Sequence, residues 1–346
     1  MTGERRRWSG AVELDVEIDG EAGRALAYPA LVGEPKPGDN VLLNTTALAM
    51  GLGTGGYALV VAVPDRLPPD PSGPGHLVKA RYTPMQAVVL GVDEQDSPHH
   101  ATIAAATSLE GMPVVVADLH SALPAILAGL LADRPAARVV YVMTDGGALP
   151  IWFSRAVSEL ADRLAGTITV GQALGGDLEA VTLHTGLLAA RWVLGADVAI
   201  VCQGPGNLGT GTPWGFSGVA AGEAVNAVAA LGGRPVGALR LSDADPRERH
   251  RGVSHHSLTA YGRVALAPAD LVVPAELPGP LAASVEADLA PLAGRHRIVH
   301  VPGDGLDAAL RASPVRLSTM GRGLDVDHAY FLASAAAGRH AAALLA

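Results

Sequence analysis

Apolar and acidic residues alternate from Ala11 to Ile18, AVELDVEI, with the period of two that marks a half-buried strand. ALAYPALV, VLLNT and YALVVAV follow, separated by turns rich in Gly and Pro. HLVKARYTP then reads as one more strand, with Lys79 and Arg81 on one face. Short strands punctuated in this way predict a small antiparallel β-barrel or sandwich over residues 1–84. Beyond MQAVVLGV the texture changes, and continuous apolar runs alternate with segments of helical length. PVVVAD (113–118) precedes SALPAILAGLLAD, with Ser121 as a candidate cap. RVVYVMTD (138–145) precedes WFSRAVSELADRLAG. TITVG precedes DLEAVTLHTGLLAARWVLG, where Asp177 is placed to cap. DVAIVCQG precedes SGVAAGEAVNAVAALGG, and PVGALRLSD follows. Strands that are apolar throughout and separated by helices predict a mostly parallel, doubly wound, Rossmann-like α/β sheet over residues 85–346. HRIVHV adds a further strand, and the last twenty residues read as an amphipathic packing helix.

Composition narrows the function more than the fold. A chain of 346 residues with 49% hydrophobic and 17% charged positions has ample material for a core. The net charge of -9 argues against nucleic acid as the main partner, since phosphates need a basic face. Lys79, Arg81 and Arg5–Arg7 are the basic residues that a nucleic-acid surface on the β-rich part would use. No apolar run is long enough to cross a membrane. A single cysteine, Cys202 in an apolar strand, fits a reducing, cytoplasmic setting and a core role. A homo-oligomer is compatible with all of these features.

Each predicted parallel strand ends in a polar loop: ADLHS, TDGG, GQALGGD, QGPGNLGTGTPWGFSG and SDADPRERHRGVSHHS. In a parallel sheet these loops share the carboxyl edge, where open α/β folds bind ligands. The acid–base candidates are Asp118, His120, Asp145, His255 and His256. Asp118 and His120, two apart at a strand end, are expected to point the same way, as an acid/base pair or as metal ligands together with His256. His255 and His256, being adjacent, are expected to diverge so that only one faces a given site. Gly204, Gly206 and Gly209 match G-x-G-x-x-G. However, TGTPWGF delays the helix, and Asp243 lies beyond the spacing of about 20 residues expected of a ribose-binding acid, which makes NAD(P) the poorer cofactor and a divalent metal the better one. The backbone of Gly206, Asn207, Gly209 and Gly211, with the Thr210 and Thr212 hydroxyls, is a candidate anion nest. Asp243, Arg249 and His250 complete the ligand-binding candidates, with Arg247 and Arg251 as further cations.

Six stretches together, NTTALAMGLGTGGY, GHLVKARYTPMQ, VMTDGGALP, GGDLEAV, GPGNLGTGT and RHRGVSHHSLTA, resemble a bacterial family of unknown function, DUF3866, from about Asn44 to Ala260. The resemblance implies a bacterial intracellular protein and assigns no reaction. From the residues, the expectation is an enzyme acting on a small anionic molecule, phosphorylated or nucleotide-like, by hydrolysis that a metal would assist. The alternative is a sensor that binds such a molecule unchanged and contacts a partner through its β-rich part.

Overall fold

The computed structural model describes residues 1–70 and 72–345. Strands β1 (Gly3–Trp8), β2 (Ala11–Ile18) and β3 (Glu21–Ala27) form an antiparallel meander. The turn between β2 and β3 is Asp19-Gly20, both at positive φ, the backbone that a two-residue hairpin turn demands. Strands β4 (Leu42–Asn44) and β5 (Ala58–Ala62) complete a sheet of order β1-β2-β3-β5-β4, in which β3 and β5 run parallel. This sheet is open. The expected barrel or sandwich does not form: β1 and β4 are separate edges, and β4 is only three residues long. Nor does the sheet need to close on itself. One face buries Val12, Leu14, Val16, Ala25 and Val60, while Ala11, Leu26, Tyr28 and Tyr57 pack with Trp152 and Phe153 from farther along the chain. A short hairpin, β6 (Leu77–Lys79) with β7 (Ala87–Val89), follows.

The main sheet is built from β8 (Pro113–Val116), β9 (Val139–Thr144), β10 (Gly166–Thr169), β11 (Leu178–Glu179), β12 (Val198–Gln203) and β13 (Arg234–Ala238). A small antiparallel ribbon, β14 (Leu241–Ser242) with β15 (Gly252–Val253), interrupts the series before β16 (Asp270–Pro274) and β17 (Arg297–Val301). The eight main strands run in the order β11-β10-β9-β12-β8-β13-β16-β17, each parallel to its neighbours. Alternate residues feed opposite layers: Val114 and Val116 join one core, and Val115 the other. Burial on both faces is why these strands carry no polar alternation.

The shortest strands escaped the sequence pattern, β11 and β15 among them. Leu178–Glu179 was expected inside a helix capped by Asp177. Instead the helix spans Leu183–Trp192, capped by Thr182 Oγ1 accepting the Thr185 N–H, and Asp177 accepts the Thr167 N–H at 2.8 Å. Ser121 is not a cap either; its hydroxyl bonds Thr319 and Tyr330 while the helix Leu123–Asp133 starts beside Pro124. PVGALRLSD is likewise not one strand, because β13 stops at Ala238 and Leu241–Ser242 turns into the ribbon.

The strand order places the site. The chain leaves β8 for β9 in one direction and leaves the adjacent β12 for β13 in the other. Connections that part from neighbouring strands open a crevice at their carboxyl ends, here between β8 and β12. Among the described residues no helix is long and apolar enough to cross a membrane.

Candidate functional site at the strand switch

Asp118 and Gln203 lie at the mouth of this crevice, one just past β8 and the other ending β12. Gln203 Nε2 donates to the Asp118 carbonyl at 2.7 Å and to Asn207 Oδ1 at 2.8 Å, tying the two strand ends together. The Asp118 carboxylate faces the histidines: its Oδ2 stands 3.5 Å from His256 Nδ1, and both residues are buried. Asp118 Oδ2, Gln203 Oε1 and His255 Nε2 are buried atoms with no hydrogen-bond partner among the described residues. A buried polar group left unpaired costs about 1–3 kcal/mol, so unpaired atoms at both strand ends and in the adjoining histidine cluster mark a place built for something more than the fold.

His250, His255 and His256 form one cluster, with ring centroids 4.4–4.9 Å apart. Thus the adjacent histidines do not diverge to separate sites. His250 sits on the turn Glu248–His250 and the other two open the helix His255–Thr259, so both rings flank the same turn. Ser254 holds the arrangement: its hydroxyl bonds His250 Nδ1 at 2.7 Å and accepts the His256 N–H. Phe216 stacks flat on His256, at 3.8 Å between centroids. Burial, reinforced by Arg240, Arg247 and His256, pulls His250 far below its ordinary value. Burial, with His256 and Arg249 adding to it, lowers His255 to about 4.

His120 belongs elsewhere. It does not pair with Asp118; it starts the turn that leads into the helix Leu123–Asp133, and its ring bonds the Tyr141 hydroxyl at 3.1 Å and Ser154 Oγ at 2.6 Å. Burial lowers its basicity to about 4. It lines a separate cavity of about 420 Å³ together with Ser121, Gly206, Asn207 and Arg316. Asp145 is also drawn away, toward the β10 side, where it accepts the Gln172 N–H at 2.8 Å.

The glycine-rich segment is a flap rather than a nest. Gly209 bridges to Phe216, the Thr210 N–H bonds the Gly215 carbonyl, and the Thr210 and Thr212 hydroxyls bond each other. Asn207 Oδ1 is spent on Gln203, Ser217 and Gly218. The donors expected to hold an anion are therefore largely used within the flap, whose base carries the stacked Phe216. Gly204 is buried beneath it, and Gly211 faces the Arg249 guanidinium.

Of the cations, Arg247 pairs with Asp245 at 2.9 Å and Arg251 Nε donates to the Asp245 carbonyl at 3.0 Å. Arg249, exposed, pairs with no carboxylate among the described residues; Asp243 is exposed as well. Lys79, expected on an exposed basic face, is completely buried, which removes it from any nucleic-acid surface. Cys202 is buried, and burial pushes its thiol up to about 12, as a core residue requires.

Sequence reading missed Gln203, Phe216 and Arg240. Arg240 is buried beside His256 and pairs with Asp245 at 3.3 Å; a lone cation inside the apolar run GALRLS was its available signal. A family model described as a protein of unknown function (DUF3866) matches residues 24–338. No curated protein and no solved structure matches the chain.

Proposed function

The chain belongs to the DUF3866 family, which prescribes no reaction, and from the site alone we propose an enzyme that hydrolyses a small anionic substrate at the crevice between β8 and β12. The observation that carries this reading is the pair of unpaired buried atoms at the two strand ends, Asp118 Oδ2 and Gln203 Oε1, with His255 Nε2 unpaired in the adjoining histidine cluster. A ligand that brings donors and acceptors to that point removes the cost of leaving them unmet. Asp118 and His256 are the acid–base pair, close and buried enough to exchange a proton with a bound group. Arg249 and Arg316, exposed beside the histidines and the neighbouring cavity respectively, supply the charge that favours an anion. Asn207 links the two regions, since it bonds Gln203 and lines the cavity.

Purified protein assayed against phosphomonoesters, phosphodiesters and nucleotides, with Mg2+, Mn2+ or Zn2+ supplied, is expected to show turnover. Asp118→Asn and His256→Ala should each lower it by about 10²–10⁴-fold, the range for a lost acid or base. Turnover unchanged in both variants would remove the assignment. Thermal stabilisation by one of these compounds without turnover would select the non-catalytic sensor instead.

A further inference from the structure

One ring nitrogen from each of His250, His255 and His256 lies within 4.8 Å of the other two. The bonding around the rings decides which nitrogens are free. Ser254 occupies His250 Nδ1, leaving Nε2. His255 Nε2 is buried and unpartnered. His256 Nδ1 faces Asp118 Oδ2 at 3.5 Å and the Arg240 guanidinium at 3.4 Å. As the ring stands, Arg240, which can only donate, meets His256 Nδ1 as an acceptor, and Asp118 Oδ2 takes no hydrogen bond; a metal at His256 Nε2 would require the proton on Nδ1, turned from Arg240 to Asp118. We propose that His250, His255 and His256 bind one divalent transition-metal ion, zinc foremost, through their Nε2 atoms, with Asp118 orienting His256 and a fourth position left to water.

The donor chemistry selects the metal. Imidazoles suit zinc and its transition-metal neighbours, whereas magnesium and calcium want oxygen. A carboxylate on the far nitrogen of a ligating histidine fixes its tautomer and ring plane, the arrangement that Asp118 offers. Three histidine ligands with an open position describe a catalytic rather than a structural zinc site. Zinc–nitrogen bonds of about 2.0–2.1 Å set the nitrogens roughly 3.4 Å apart, so the cluster has to contract slightly. His255 is the least buried of the three and the freest to move. Asp118, Asp245 and Asp327 offset Arg240, Arg247 and Arg322 close by, and Arg249, exposed beside His255, is the remaining cation.

The inference rests on the hydrolytic reading only for what the open position does: with Nε2 on the ion, His256 serves that reaction as a ligand in place of the proton exchange given to it above, and the test uses no substrate. Untagged protein, stripped with chelator, is titrated with Zn2+ by calorimetry and with Co2+ by visible absorption. One equivalent should bind, with the intense bands of four-coordinate Co2+. His255→Ala and His256→Ala should each weaken Zn2+ binding by at least ~100-fold, and Asp118→Asn by about 10–100-fold. His300→Ala, an exposed partner of Glu286, should change nothing. Circular dichroism of the stripped proteins identifies any variant that fails to fold; His255→Ala, at the most open position, then carries the test. No saturable Zn2+ binding by folded wild type, or full affinity in His255→Ala, overturns the site. A protein that binds zinc but hydrolyses nothing overturns the proposed reaction and leaves the site standing.

Discussion

His296 shows what burial does to an imidazole that only holds the fold. Its Nδ1 accepts the Ala269 N–H at 3.2 Å and its Nε2–H donates to the Tyr261 carbonyl at 2.8 Å, so the neutral ring uses both nitrogens. Burial lowers its basicity from the ordinary 6.5. On acidification through 6.5 the unfolded chain therefore takes up a proton that the folded ring resists, and stability falls with pH. His296→Asn, which cannot titrate, should lose less stability in urea melts between about pH 7 and about pH 5 than wild type. Identical slopes would refute this account. At this scale the sequence prints side-chain chemistry but not partners. The histidines and acids of the rim were legible as candidates because their types and strand-end positions are visible in the chain. Their grouping was not: His120 turns to Ser154, Asp145 turns to Gln172, and Asp118 finds His256, all through packing across the sheet. Gln203 and Phe216 look like ordinary strand and loop residues until Asp118 and His256 are seen against them.

Between elements, the closest approach is the crossing of Leu123–Asp133 with the last helix, His328–Ala343. A Cβ on Gly129 would collide with the Ala335 carbonyl, and one on Gly338 with the Ile126 carbonyl, so the contact is reciprocal and made by backbone. Alanine normally gains about 1 kcal/mol over glycine inside a helix. Here overpacking of about 3 kcal/mol opposes it, because neither helix can yield with a side chain. Gly338→Ala should therefore destabilise by about 2 kcal/mol in chemical denaturation, and a variant as stable as wild type would show that the helices separate freely. The sequence announced this helix by its length and apolar content. The reason for its Ala and Gly lay in the partner helix. Continuous valine-rich runs likewise revealed most strands of the parallel sheet, while β11 escaped because two residues are too short to show a period.

Across the whole molecule, the β6–β7 hairpin is pinned to the main sheet by Lys79. Its Nζ donates to the carbonyls of Ala173 and Ala180 at 2.9 Å and lies 3.4 Å from Glu179 Oε2. Glu179 also accepts from the Thr169 hydroxyl and the Gly175 N–H, each at 2.6 Å. A strand pattern over three residues cannot disclose a carboxylate so distant in the chain, which is why Lys79 read as an exposed base. Burial lowers the Lys79 ammonium and raises the Glu179 carboxyl, so desolvation outweighs their mutual attraction in both. Removing one charge should then hurt more than removing both. Lys79→Met leaves the Glu179 charge unpaired and should cost about 3–5 kcal/mol, as should Glu179→Gln by leaving the ammonium alone. The double variant should cost less than either single one, so the coupling between the two sites should exceed about 3 kcal/mol, the cost of one unpaired buried charge. Urea denaturation of the four proteins measures this directly. Strict additivity would mean that the two side chains hold their own segments independently, and that the hairpin is kept in place by the carbonyls of Ala173 and Ala180 rather than by the ion pair.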